Sequence, residues 1–276
     1  MRRSRVGFIM LVFASGLISS EPLRAESELQ TQTATAYKDY AQRAEDAFLA
    51  RVRGGSPQAP RLDGVIAAHP GRDDGIISVP GGLVHHWIGS AFLPGATLQD
   101  VLKLSRDYEK YASIYRAIVS AKLIEHDGDM YRTALRLKEG EAGITAVLQV
   151  RSTIRYAAPN EHSAYSISMA DEIREVKNAG SRNEELLPAG RDSGYLWRAQ
   201  VFNWFVQRQD GVYLETETLG LSRGFPPFIG WFIEPIARRL GRKSVESSLQ
   251  QFTSALTCAT KHSAEYDCAA SRTAPN

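Results

Sequence analysis

The chain has 276 residues, with 33 Lys or Arg against 31 Asp or Glu, 43% apolar residues and two cysteines. No cofactor fingerprint and no strong catalytic motif occurs in it. A near-neutral charge balance leaves no electrostatic footprint for nucleic acid.

The first segment reads as a leader. MRRSR is a basic start, VGFIMLVFASGLIS an apolar run, and Leu23-Arg24-Ala25 ends on a small residue. This is the pattern of a secretory signal peptide over residues 1–25. The apolar run falls short of the roughly 20 residues that span a bilayer. Its removal takes away four arginines and one glutamate, turning 33 basic and 31 acidic residues into 29 and 30. The expectation is an exported protein, periplasmic or secreted.

Residues 26–80 read as a helix and an irregular connector. Tyr37, Ala41, Ala44, Phe48 and Val52 recur at helical spacing between polar positions, which predicts an amphipathic helix over Thr31–Val52. Gly54-Gly55 ends it, and Pro57, Pro60, Pro70 and Gly71 mark the connector, with short strands at Val65–Ala68 and Ile76–Val79.

The main domain is expected over residues 81–257. LVHHWIGSAF has strand composition, and Thr97 with Asp100 resembles a capping box. That box would open a helix bearing Val101, Leu104, Tyr108, Tyr111 and Tyr115 on one face. Ala117–His126 and Asp129–Lys138 flank Asp127-Gly128, a hairpin signal. Ile144–Tyr156 and Ser163–Val176 alternate at period two. Tyr195–Arg208 and Val212–Ser222 follow, joined at Asp210-Gly211. Tight hairpin turns join antiparallel strands, which excludes a doubly wound sheet.

The last stretch carries two patterns. Val245, Leu249, Phe252 and Leu256 form one apolar stripe, suited to lie across a sheet with an apolar face. Pro226 to Leu240, with Pro235 inside, reads as a separate kinked lid. In residues 258–276, Cys258 and Cys268 are expected to close a small loop in an oxidising compartment, stabilising by about 2–3 kcal/mol. The alternative is two free thiols.

This order of elements resembles the START-like, polyketide cyclase-like (SRPBCC) helix-grip superfamily. The resemblance rests on LQDVLKLSRDYEKYASIY after the first strand, the paired strands with Asp-Gly turns, and RKSVESSLQQFTSAL as the gripping helix. It covers roughly Gly81 to Leu256. It implies an α+β fold in which a curved antiparallel sheet wraps a long C-terminal helix, here with an extra N-terminal helix. It also implies a hydrophobic cavity between sheet and helix for a lipid or other hydrophobic small molecule. The leading expectation is an exported binding protein without cofactor, metal or catalytic residues. A cyclase- or aromatase-like enzyme on the same fold is the alternative, and a structural envelope protein with a filled cavity is a third.

The ligand-binding candidates are Trp87, Tyr131, Tyr156, Tyr165, Arg198, Glu215, Glu217, Phe228 and Trp231. Arg198, Glu215 and Glu217 lie within apolar strands, so each either faces solvent in an ion pair or anchors the polar end of a ligand. Tyr195–Arg208 is apolar on both sides, and a strand of that kind is covered on both; the Tyr37–Val52 helix is expected to cover the face away from the gripping helix. Gly220-Leu221-Ser222-Arg223-Gly224, followed by Glu234 or Asp267 and then His262, matches a serine-hydrolase pattern in form. An antiparallel strand followed by Phe225-Pro226-Pro227 is the wrong context for it, so a chance match is expected. His85 and His86 are adjacent on a strand and point to opposite faces, so they cannot share a metal ion. Phe225, Phe228, Trp231 and Phe232 beside Arg238, Arg239, Arg242 and Lys243 suggest transient contact with an anionic membrane; the alternative is core aromatics beside a helix terminus.

Overall fold

A computed structural model describes residues 27–55, 66–141, 144–224 and 227–261. The expected signal peptide over residues 1–25, Cys268 and His262 lie outside the described residues, and the expected Cys258–Cys268 pairing therefore rests on a residue that is not described. The elements in chain order are β1 (Ser27–Glu28), α1 (Thr31–Gly54), β2 (Ala67–Pro70), β3 (Ile76–Val79), β4 (Gly82–Pro94) and α2 (Leu98–Arg106). A 3₁₀ turn (Tyr108–Lys110), α3 (Tyr111–Ile114), β5 (Ile118–Asp127), β6 (Met130–Glu141), β7 (Ile144–Asn160) and β8 (Ser163–Lys177) follow. The chain closes with β9 (Glu185–Leu186), β10 (Arg191–Asp192), β11 (Arg198–Arg208), β12 (Gly211–Arg223) and α4 (Pro227–Lys261).

The large sheet has ten strands in the order β2-β4-β12-β11-β8-β7-β6-β5, with β3 also on β4 and β9 on β8. Every pairing is antiparallel. The last strand pairs with β4, so two stretches far apart in sequence form neighbouring strands. At the β11–β12 turn, a side chain on Gly211 would run into the Leu93 carbonyl of β4. The absence of a Cβ is what lets that hairpin lie against the neighbouring strand.

Two helices cover opposite faces. On the inner face α4 buries Val245, Leu249, Phe252 and Leu256 against a core that includes Trp87, Ala91, Leu93, Phe205, Val212 and Leu214. Gly89 provides the seat, since a Cβ there would meet the side chains of Val245 and Leu249. On the outer face α1 buries Tyr37, Tyr40, Ala41, Phe48 and Val52, packed with Val84, Phe202, Trp204, Tyr213, Leu219 and Leu221. Phe48 stacks on Phe202 with ring centres 5.1 Å apart and meets Tyr165 edge-on. The expected cover of the second face of β11 is therefore present. Two ties hold the start of this layer: Thr33 Oγ1 donates to the Pro80 carbonyl at 2.6 Å, and β1 pairs with β10.

The architecture is an α+β sheet closed by a C-terminal helix, with the extra helix expected at the N-terminus. Two local readings differ from it. The helix opened by Thr97 has its capping box, but it stops at Arg106, and Asp107 leaves the helical region at φ −86, ψ 68. Tyr108, Tyr111 and Tyr115 are gathered by packing instead of by one helical face. The lid and the grip are also not two devices: Pro227–Lys261 is one helix, with Pro235 accommodated inside it.

Candidate functional site

Pleating assigns alternate residues of each strand to opposite faces, and the register carries that assignment across the sheet. On β12 the outer positions are Tyr213, Glu215, Glu217, Leu219 and Leu221; the inner ones are Val212, Leu214, Thr216, Thr218, Gly220 and Ser222. On β11 the inner positions are Ala199, Val201, Asn203 and Phe205, aligned with Gly220, Thr218, Thr216 and Leu214. Ser166 and Ser168 of β8 continue the rows beside Asn203 and Val201.

The two faces of these central strands differ in closure. Outer residues Phe202, Trp204, Glu215, Glu217, Leu219 and Leu221 are at most 2% exposed. Inner residues Ala199, Val201, Asn203, Thr216, Thr218 and Ser168 are only half-buried. Residues in the middle of a ten-stranded sheet reach solvent only if nothing fills the space above them. They form the floor of a trough.

One wall is α4 where it rests on β4: Trp87 packs against Gly241, where a Cβ would collide with the indole. The opposite wall is aromatic. Tyr108, Tyr131 and Tyr156 are buried together, with ring centres 5.6 Å apart for Tyr108–Tyr131 and 5.4 Å for Tyr131–Tyr156. Tyr108 and Tyr156 share a hydroxyl contact of 3.1 Å, and Tyr156 and Tyr111 donate to the Ser105 carbonyl at 3.0 and 2.6 Å. Burial, first of all, pushes the Tyr156 hydroxyl up to about 12 and raises Tyr108, Tyr111 and Tyr115 as well. These groups stay uncharged. Arg106 sits over the Tyr156 ring at 4.6 Å and reaches Asp129 at 3.4 Å.

The floor is polar but neutral. Thr216 Oγ1 donates to Asn203 Oδ1 at 2.8 Å, and Asn203 Nδ2 donates to Ser166 Oγ at 3.1 Å. Beyond it the inner face becomes apolar again at Leu148, Val150, Ala170 and Ile173, with Leu196 packed on them.

Of the expected ligand-binding residues, Trp87, Tyr131 and Tyr156 line the inner side. The side chains of Phe228 and Trp231 lie outside those described. Tyr165, Arg198, Glu215 and Glu217 are on the outer face, under α1. Neither reading of the charges anticipated their environment. Arg51 of α1 bonds both carboxylates, at 3.3 Å to Glu215 and more closely to Glu217. His86 Nε2 meets Glu217 Oε1 at 2.7 Å, and Tyr40 hydroxyl meets His86 Nδ1 at 2.8 Å. The two glutamates, 0% and 1% exposed, fasten the N-terminal helix to the sheet. Arg198 Nη1 donates to the Trp197 carbonyl at 2.8 Å.

Leu196 and Trp197 precede β11 and therefore escape its alternation: Trp197 belongs to the outer core and Leu196 packs on the inner one. His85 and His86 do point to opposite faces. His85 Nε2 meets Ser222 Oγ at 2.8 Å, and burial lowers its pKa to about 4. Ser222 lies within an antiparallel strand, paired with Leu83 of β4, which is not the parallel strand-to-helix elbow of a hydrolase. Among the described residues no group of three or more His, Cys, Asp or Glu could hold a metal ion, and no helix is long and apolar enough to cross a membrane.

Asn203, Thr216, Thr218 and Ser166 escaped the sequence reading. Their signal was the alternation itself, since Thr216 and Thr218 interleave with the apolar and acidic positions of β12; without the register nothing marked them as neighbours.

The sheet holds the C-terminal helix on its inner side. The fold is a helix grip. No family model matches the chain, and no curated protein does. Among solved structures the chain is similar to TTHA0849 from Thermus thermophilus, with 13% identity, a TM-score of 0.46, and 63% of this chain and 97% of that one covered. It is similar to a STAR-related lipid transfer protein from Xanthomonas axonopodis, with 15% identity, a TM-score of 0.47, and 66% and 99% covered. The Zhui aromatase/cyclase from a Streptomyces species shows 9% identity, a TM-score of 0.44, and 64% and 97% covered. These are remote likenesses, and the functional reading rests on the trough.

Proposed function

We propose that this protein is an exported carrier that holds a lipid or other hydrophobic small molecule in the trough between the sheet and α4. The half-buried floor at Val201, Asn203, Thr216 and Thr218, in the centre of a sheet whose other face is sealed, supports this reading. An apolar channel with a few convergent polar groups is the usual form of a small-molecule site. A structural protein with a filled interior would have those residues buried. A cyclase-like enzyme would place a titratable group among them; the described floor offers a neutral amide and hydroxyls. Loading from a membrane surface, by transient contact of the basic stretch Arg238–Lys243, fits a carrier of this kind. There Arg238 is already paired with Asp74 at 2.6 Å and Arg242 with Glu246 at 2.8 Å.

Native mass spectrometry of the protein purified from its own host tests the proposal. A bound apolar molecule is expected, and Thr218→Trp, which fills the floor, should remove it. Protein that is uniformly empty, or a ligand retained by the filled variant, would overturn the carrier reading.

A further inference from the structure

We infer that the trough selects an uncharged ligand whose polar end is a hydroxyl or a carbonyl, and that Asn203, with Thr216, is the residue that chooses it. The inference rests on the carrier reading above and adds the chemical class of the cargo.

Following the register, the inner positions of β4 are Leu83, His85, Trp87, Gly89, Ala91 and Leu93. Those of β12 and β11 were given above, and β8 contributes Ala164, Ser166, Ser168, Ala170, Ile173 and Glu175. The even positions of β7 and the odd positions of β6 from Tyr131 to Glu139 follow, and the edge strands β2, β3 and β5 add their inner positions to the face. No lysine or arginine stands among these described positions. Arg106 is stacked over Tyr156 and directed to Asp129. The arginine packed against the sheet core lies on the other face: Arg51 of α1 is spent on Glu215 and Glu217.

A ligand carboxylate or phosphate brought onto this floor would lose its hydration and find no cation, which is the expensive case of charge burial. The two carboxylates of this face do not change that: Glu175 accepts from Ser193 N and Oγ at 2.8 and 3.0 Å, and Glu139 stands opposite Ala146, exposed. An ammonium group fares no better at the floor, where Glu175 is already spent on Ser193 and Glu139 lies at the far end of β6.

The floor does offer neutral hydrogen bonding. An amide side chain carries two N–H donors and an oxygen with two lone pairs. Asn203 uses one lone pair on Thr216 and one N–H on Ser166, and the remainder is available on a half-buried side chain. Such a group can donate to a carbonyl or accept from a hydroxyl without any ionisation. The two neighbours fix the amide plane, so the spare donor and acceptor are already oriented.

Displacement of Nile red, an uncharged apolar dye, tests the inference on the full chain at pH 8 with 1-hexadecanol, hexadecanoic acid and hexadecylamine as competitors. The alcohol should displace the dye at a concentration about tenfold below that of the acid or the amine, the scale of one hydrogen bond gained and one charge not buried. Asn203→Leu and the near-isosteric Thr216→Val should each shrink that margin to about threefold while still taking up the dye, because they remove the hydrogen bond and leave the cost of burying the charge. An acid or amine that competes as well as the alcohol, or a margin that survives both substitutions, would overturn the inference and leave the carrier intact. If the unaltered protein takes up no Nile red, the carrier reading itself fails and the selectivity with it.

Discussion

The two faces of strands β11 and β12 are built from alternate residues of the same strands and meet opposite fates. On the outer face Phe202, Trp204, Glu215, Glu217 and Leu219 are sealed under α1, and even their charges are consumed by Arg51 and His86. On the inner face Asn203, Thr216 and Thr218 stay half-buried, although α4 covers the same sheet. The difference lies in where each helix rests. α1 lies over β11 and its neighbours, whereas α4 settles on β4 and β2, its stripe seated on Gly89. A buried ion-pair network serves cohesion; a neutral, half-buried floor is free to bind.

The largest effect should come from breaking the sealed face. Arg51→Ala strands Glu215 and Glu217 without their cation, and urea unfolding should show a loss of about 3–5 kcal/mol, the cost of leaving a buried charge unpaired. A loss below about 1 kcal/mol would mean that the outer layer is not held by this network.

An intermediate effect is expected from His85 at the margin of the inner face. Half-buried and bonded to Ser222, it takes up its proton only near pH 4, whereas in an unfolded chain it does so near its ordinary value of 6.5. The unfolded state therefore binds more protons between those values, and stability falls as pH falls through that window. Between pH 7 and pH 5 the protein should lose about 2 kcal/mol more than His85→Gln, which keeps a hydrogen-bonding group at the site. Parallel pH profiles would place His85 in a solvated setting instead.

The smallest effect belongs to the open floor. Thr218→Val removes a hydroxyl whose one contact, to the Trp87 carbonyl, is long at 3.4 Å. Stability should change by no more than about 0.5 kcal/mol, with the retention of bound ligand as the sensitive readout. A loss comparable to that of Arg51→Ala would show that the floor is structural.

Much of the fold was legible in the chain. The stripe of Val245, Leu249, Phe252 and Leu256 is buried as its spacing requires, the Asp127-Gly128 hairpin forms with Gly128 at φ 54, and the Tyr37–Val52 face finds its sheet. The candidate site was legible only in part. Trp87, Tyr131 and Tyr156 are on the inner side, while Tyr165, Arg198, Glu215 and Glu217 share strands with the floor residues Ser166, Asn203 and Thr216 but not their face.

Local physics explains that division. Helical period, strand alternation and turn chemistry act between residues a few positions apart, so the sequence by itself determined most of the elements, the antiparallel pairing at the hairpins and, within a regular strand, which residues share a side. It could not determine which side is inside. That choice was made by contacts far apart in the chain: Arg51 reaching Glu217 across 166 positions, and α4 coming to rest on Gly89. A charged residue in an apolar strand calls for a partner wherever it lies, and only the packing of the two helices decided that here the partner is the protein itself.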